Sequence, residues 1–320
     1  MTAQAIREFD RDLLALGSYR GAVARVFAHA AQVDPDEPGA EPLTLLARGR
    51  PVVPYGLVLD GRLHAAVGDR VCLCGRRLQL AGCSARLEGE GCSLAIGELP
   101  GALDLLPAQL EALSPPAGGH EARPCSECLG TIDHRVHHHP HMRIPQPDRC
   151  RGGVHPHPRA RGRVSRLLDR LLAERLAELA QDVADGAPFR PERLAGLGAG
   201  STPSGDDALA GLAAGAERLS GLGGLDDSRV RDLRAALAAL PAGQTTPLGL
   251  RMLRAASRGR YPAPLAALAG CLGRDEPEAL QAAVISLCTL GQTSGGDMLA
   301  GLAALVRACI PSDRSTRRRG

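Results

Sequence analysis

Ser204-Gly-Asp-Asp-Ala-Leu-Ala-Gly-Leu212 and Ser294-Gly-Gly-Asp-Met-Leu-Ala-Gly-Leu302 align without a gap, 90 residues apart, with Ser, Gly, Asp, Leu, Ala, Gly and Leu at identical offsets. Chance explains the second half of that match in an Ala/Leu-rich chain, but not the Ser-Gly-x-Asp half. The simple account is a duplicated loop-helix unit whose two helix starts converge on one pseudo-symmetric site. Gly211 and Gly301, one turn into each helix, allow close helix packing. The loop at 198–207 has two readings. It can offer backbone N–H groups, the Thr202 and Ser204 hydroxyls and a positive helix terminus to an anion. It can also be plain capping, with Ser204 as N-cap and Asp207 completing a variant capping box. Gln244-Thr245-Thr246 forms a third polar knot before a helix, either adding hydroxyl donors or serving as an ordinary cap.

Around these motifs Leu and Ala recur at helical spacing over 164–183, 208–219, 228–240, 248–257, 264–272, 276–290 and 298–310. The texture differs upstream. Short apolar pieces between 43 and 99 are separated by Gly at the interval of a small all-β domain or barrel. The expected class is therefore α+β, a small N-terminal β-rich, barrel-like domain followed by a mainly helical domain that contains the duplicated motif. The expected boundaries are a helical lead-in at 1–42, the β-rich domain at 43–106, an irregular His/Pro/Arg-rich segment at 107–163, the helical domain at 164–311 and a disordered tail at 312–320.

With 320 residues, 44% hydrophobic and 23% charged, the chain can bury one large core or two smaller ones. Every basic residue is Arg, and Lys and Asn are absent, which excludes Schiff-base lysine chemistry, a Walker-A lysine and N-glycosylation. A net charge of +3 and 2% aromatics argue against a nucleic-acid partner. No apolar run approaches the roughly 20 residues of a membrane span, and charged residues interrupt the N-terminus where a signal peptide needs an apolar core. A cytoplasmic protein with no membrane partner is expected. Its ten Cys then read as reduced thiols, mostly buried small hydrophobes.

Eight of the ten His and three Cys fall between 120 and 163. Cys125 and Cys128 have metal-ligand spacing, with Cys150 or a nearby His to complete a tetrahedron. The same segment, almost without Val, Leu or Phe, also fits a disordered insertion or a translated frameshift. It is expected to be irregular, and no metal ligand is assigned.

The stretches 196–212 and 291–302, together with Thr245-Thr246 before a helix, resemble the AllH-like family, whose named member is a subunit of bacterial oxamate carbamoyltransferase in anaerobic allantoin degradation. The resemblance is good over 164–308 and weaker over 43–106. It implies passage of a carbamoyl group between oxamate and phosphate, with partner subunits present. Three positions depart from the family pattern: Ser201 replaces an apolar residue, Gln292 a His, and Gly249 a Ser. Gln can hydrogen-bond but does not titrate, so an acid–base role at 292 is absent here.

The expected function is a carbamoyltransferase subunit binding a carbamoyl or acyl phosphate, or a similar small anionic metabolite, at the paired SGxD helix starts. The alternative is a non-catalytic regulatory subunit that binds a metabolite with the same loops. The assigned catalytic residues are Asp207 and Asp297. The assigned substrate-binding residues are Gly200, Thr202, Ser204, Gly205, Asp206, Thr245, Thr246, Thr293, Ser294 and Gly295. Arg193, Arg251 and Arg254 are candidate phosphate clamps. No cofactor is expected; Mg²⁺ beside a phosphate is the one addition the carboxylates leave open.

Overall fold

Alternation of buried and outward-facing residues marks the stretch 18–23. In β2 (Ser18–Val26) Tyr19, Gly21 and Val23 are buried while Ser18 and Arg20 are exposed, the pattern of a strand with one face on a core. The computed structural model describes residues 4–60, 63–96, 100–113 and 163–310. The other strands are β1 (Gln4–Ile6), β3 (Ala30–Pro35), β4 (Leu43–Ala47), β5 (Gly56–Leu59), β6 (Arg70–Cys74), β7 (Arg77–Leu80) and β8 (Cys83–Leu87); β6 to β8 alternate in the same way, whereas β3, β4 and β5 are buried at successive positions. The eight strands form one sheet in the order β1-β8-β7-β6-β2-β3-β4-β5. Its edges nearly close, because the segment after β1 reaches β5: the Asp10 N–H donates to the Gly56 carbonyl at 2.8 Å and the Val58 N–H to Glu8 at 2.8 Å. Closure removes edges that would otherwise pair with other chains. The interior is filled by Ile6, Phe9, Leu13, Val33, Leu43, Leu45, Leu57, Leu73, Leu78 and Leu87. Tyr19 also lies inside. Its hydroxyl donates to the Val33 carbonyl (3.0 Å) and accepts from the Leu43 N–H (3.2 Å), and burial pushes its pKa up to about 12.

The expected helical lead-in at 1–42 is corrected by these strands. Residues 4–35 supply β1 to β3, and the only helical turn there is the short 3-10 segment Arg11–Ala15. The small apolar residues of β2 obscure its period of two until its burial is seen. The cysteines also need correction. None of the seven described is fully buried, and Cys74, Cys83 and Cys288 are exposed. Cys72 and Cys74 alternate with Val71 and Leu73, so the barrel core takes the valine and leucine and leaves the thiols on the outer face.

The second half is helical: α1 (Leu106–Ala112), α2 (Arg163–Asp185), α3 (Ser204–Gly221), α4 (Asp227–Ala238), α5 (Pro247–Ser257), α6 (Ala263–Cys271), α7 (Pro277–Cys288) and α8 (Ser294–Cys309). Of these, α3 is the axis. Residues 205–216 are all buried, as expected of a helix that is apolar or small all round and packed on every side. Its main partner is α8, with α2, α4, α5 and α6 covering other sides. A Cβ on Gly211 would overlap the Met298 carbonyl oxygen, and one on Gly301 would overlap that of Ala208. The two duplicated glycines thus let the duplicated helices touch backbone to backbone.

Arginines join the halves. The buried Arg251 of α5 donates to the Pro42 carbonyl (3.1 Å) and to Thr44 Oγ1 (3.0 Å) at β4. Arg260 pairs with Asp10 and Asp12 and lies 4.9 Å from the centre of the Tyr55 ring. The Ala263 N–H donates to Val52 at 2.9 Å. The zinc candidates Cys125, Cys128 and Cys150 and the tail at 312–320 lie outside the described residues.

Candidate functional site

Helices α3 and α8 both begin at the Ser of their motif, with Pro203 and Thr293 as N-caps, and neither cap residue makes a side-chain capping bond. The capping-box reading is overturned. Ser204 and Ser294 open the first turn, four residues earlier than the apolar periodicity indicates, because SGxD is the first turn itself.

The two starts are built alike. The Gly205 N–H donates to the Leu197 carbonyl (2.8 Å) and the Gly295 N–H to Leu290 (3.0 Å). A Cβ on Gly205 would overlap the Leu194 oxygen, and one on Gly295 the Leu287 oxygen. Gly198 lies against Ser204, and Gly291 against Ser294. In each comparison the first motif's partner lies three residues farther back. Leu197-Gly198 therefore corresponds to Leu290-Gly291, and the first loop is three residues longer. Gly198 and Gly291 both have positive φ, +125° and +65°, where a side chain would be strained.

The longer loop is fastened on two sides. Asp206, fully buried, accepts from the Gly196 N–H at 2.8 Å and from the Thr245 hydroxyl. Thr246 caps α5 by accepting from the Gly249 N–H (3.0 Å) and donates to the Ser201 carbonyl (2.5 Å). Both threonine hydroxyls are thus spent on holding the first loop. A Cβ on Gly249 would overlap the Asp206 carboxylate, so a serine at 249 could not coexist with this arrangement. Burial raises the Asp206 pKa, and its Thr245 and Gly196 hydrogen bonds oppose the rise.

At the junction the Thr202 and Ser294 hydroxyls, one from each repeat, lie 3.3 Å apart. Asp207 sits beneath them, 0% exposed, and neither carboxyl oxygen has a partner of full hydrogen-bond geometry. Burial pushes its pKa up to about 8. The Ser294 and Thr202 hydroxyls are close enough to favour the charged form, whereas Asp297 and Asp206 add to the rise. The structure therefore brings together Thr202, Ser294, Asp207 and Asp297. Around them Ser204 is half-buried, Gly205 and Gly295 are buried against backbone, and Gly200 and Thr293 are exposed.

The arginine clamps are corrected. Arg251 is spent on the barrel, Arg193 pairs with Glu178 and Asp182, and Arg254 is an exposed side chain on α5. Grooves of about 600 Å³ beside Arg20, Cys72 and Gln79 and of about 390 Å³ beside Phe189 and Arg229 lie away from the paired loops. Among the described residues no group of three or more His, Cys, Asp or Glu is placed to hold a metal ion, and no helix is long and apolar enough to cross a membrane.

Three features escaped sequence reasoning: the role of Gly196, the closeness of Gly249 to Asp206, and the three-residue offset between the loops. A gapped alignment anchored on Leu-Gly would have exposed the last.

Two glycine-packed helices, starting from duplicated SGxD turns and joined to a nearly closed barrel, define the class of protein. Residues 194–306, which carry both SGxD turns, match the family model of the oxamate carbamoyltransferase subunit AllH and are similar to it. No curated protein and no solved structure matches the chain.

Proposed function

We propose that this chain is a subunit of a carbamoyltransferase of the oxamate type, and that it holds carbamoyl phosphate or a similar small anionic metabolite between the starts of α3 and α8. The observation that carries the reading is the meeting of the two repeats at Thr202, Ser294 and the buried Asp207. Two helix N-termini directed at one place favour negative charge there, and the hydroxyls can turn their protons toward a ligand oxygen. The family match covers these same residues.

In this reading Asp207 and Asp297 act on the reacting groups, and Thr202, Ser204 and Ser294 with the backbone of Gly200, Gly205, Thr293 and Gly295 surround the ligand. Asp206, Thr245 and Thr246 position the first loop. Transfer of a carbamoyl group requires stabilising a developing oxyanion and the departing phosphate more than it requires a covalent nucleophile. In this reading the protein works in the cytoplasm with further carbamoyltransferase subunits, and the family's printed description as a subunit supports the partnership. No cofactor is invoked.

The test pairs calorimetry with carbamoyl phosphate and turnover from oxamate, with and without the products of neighbouring genes. Asp207→Ala and Asp297→Ala are expected to lose binding or turnover while the helical circular dichroism persists. A lowered melting temperature with intact binding would sink the assignment of both loops.

A further inference from the structure

An anion between the starts of α3 and α8 meets two carboxyl groups, which would repel it if both were ionised. Something must neutralise the pair. Arg251 of α5 turns to the barrel. The charged groups with the main influence on Asp207 are Asp297 of α8 and Asp206 of α3, both acidic; α2, α4, α5 and α6 place none among them. Asp206 is already tied to Gly196 and Thr245. Asp207 is the fully buried member, and both of its oxygens lack a partner of full hydrogen-bond geometry beneath the Thr202 and Ser294 hydroxyls.

We propose that Asp207 is the proton carrier of this site: facing Asp297 across the repeat, it keeps one proton on the pair and donates it as a hydrogen bond to an oxygen of the bound anion. The assignment rests on the anion-site reading above and deepens it. It supplies the titratable group that Gln292 does not. No bond is broken: the proton stays on the carboxyl oxygen, and the hydrogen bond disappears when that proton is lost. Burial, with Asp297 adding to it, holds the Asp207 pKa up to about 8, which keeps the donor form dominant at neutral pH. The ligand class follows from the donors: a small anion presenting at least two oxygens, one for the carboxyl proton and one for the hydroxyl pair.

Calorimetry on the full chain with oxamate, and separately with sulfate, tests the idea from pH 6.5 to 9.5, where neither ligand titrates. Each series is run in two buffers of different ionisation enthalpy and repeated with EDTA. Affinity is expected to fall about tenfold between pH 7 and pH 9, with proton uptake approaching one per ligand at the upper end. Asp207→Asn, which keeps a donor that cannot ionise, is expected to bind with a flat profile. Binding without proton uptake in the native chain overturns the proposal and leaves the anion site standing. Binding abolished by EDTA also overturns it, since a cation would then do the neutralising. Absence of binding to either anion at every pH overturns the site reading as well. The native chain's proton count decides the matter even if the Asn variant does not fold.

Discussion

The first and second SGxD turns share a helix start and the Leu-Gly pair behind it, and differ in the side chains that fasten the loop. The first sits on a loop three residues longer, pinned by Asp206 to Gly196 and Thr245 and by Thr246 to Ser201. The second has Gly296 where the first has Asp206, so it lacks that carboxylate anchor, and its Asp297 is half-buried where Asp207 is fully buried. Duplication supplied two equivalent helices. The first loop is tethered through Asp206 and Thr246, and the second carries no counterpart of the Asp206 anchor.

The largest expected effect falls where the two repeats are still equivalent. Gly211→Ala and Gly301→Ala each drive a methyl into a backbone oxygen of the opposite helix, and each should cost about 3 kcal/mol or more, at or beyond the upper end for overpacking. Thermal melts should show similar losses for the two variants. A mild effect from one and a severe effect from the other would mean that the helix contact is not symmetric.

Next comes the carboxyl pair, where the repeats part. Burial raises the pKa of the Asp207 carboxyl in the folded chain to about 8, from the ordinary 3.8. The unfolded chain therefore releases this proton first as pH rises. Stability from this group is complete below about pH 4, declines between pH 4 and 8, and is flat above. Asp207→Asn should remove that decline and stabilise the fold at pH 8 by roughly 2 to 4 kcal/mol. Asp297→Asn should change stability by less than about 1 kcal/mol. Denaturant unfolding at pH 5 and pH 8 checks both, and equal responses from the two variants would erase the contrast between the loops.

The smallest effect probes the anchor present on one side only. Thr245→Val removes the hydroxyl bonded to Asp206 and leaves a buried carboxylate oxygen short of a donor, at an expected cost of about 1 to 3 kcal/mol. Amide hydrogen exchange should rise at 196–206 and stay unchanged at 290–297. Faster exchange in both loops would show that the threonine stabilises the whole domain rather than one loop.

Much of this was legible from residues alone. Leu and Ala at helical spacing mark seven helices after residue 163, and the repeat foretells that the two motif helices meet, because glycines at the same offset in both have little use except contact. The limits have physical causes. Helical periodicity is carried by apolar residues, so it starts at Ala208 and Met298 and misses the polar first turn. The strands before residue 43 use small residues such as Gly21 and Ala22, whose alternation shows only once the sheet buries one face. Burial of Asp207 depends on α8 packing over it, a contact between residues far apart in the chain, and no local pattern encodes a pKa.

The extra three residues of the first loop have a geometric consequence. A twofold-symmetric pair of helix starts would accept a ligand equally well in either of two opposed poses. With one loop longer and tethered by Asp206 and Thr246 and the other without that anchor, the two poses are no longer equivalent, and a ligand seated as proposed would meet a directional site. A molecule with unlike ends, such as a carbamoyl group joined to a phosphate, would then be seated one way round, with the same end facing outward each time.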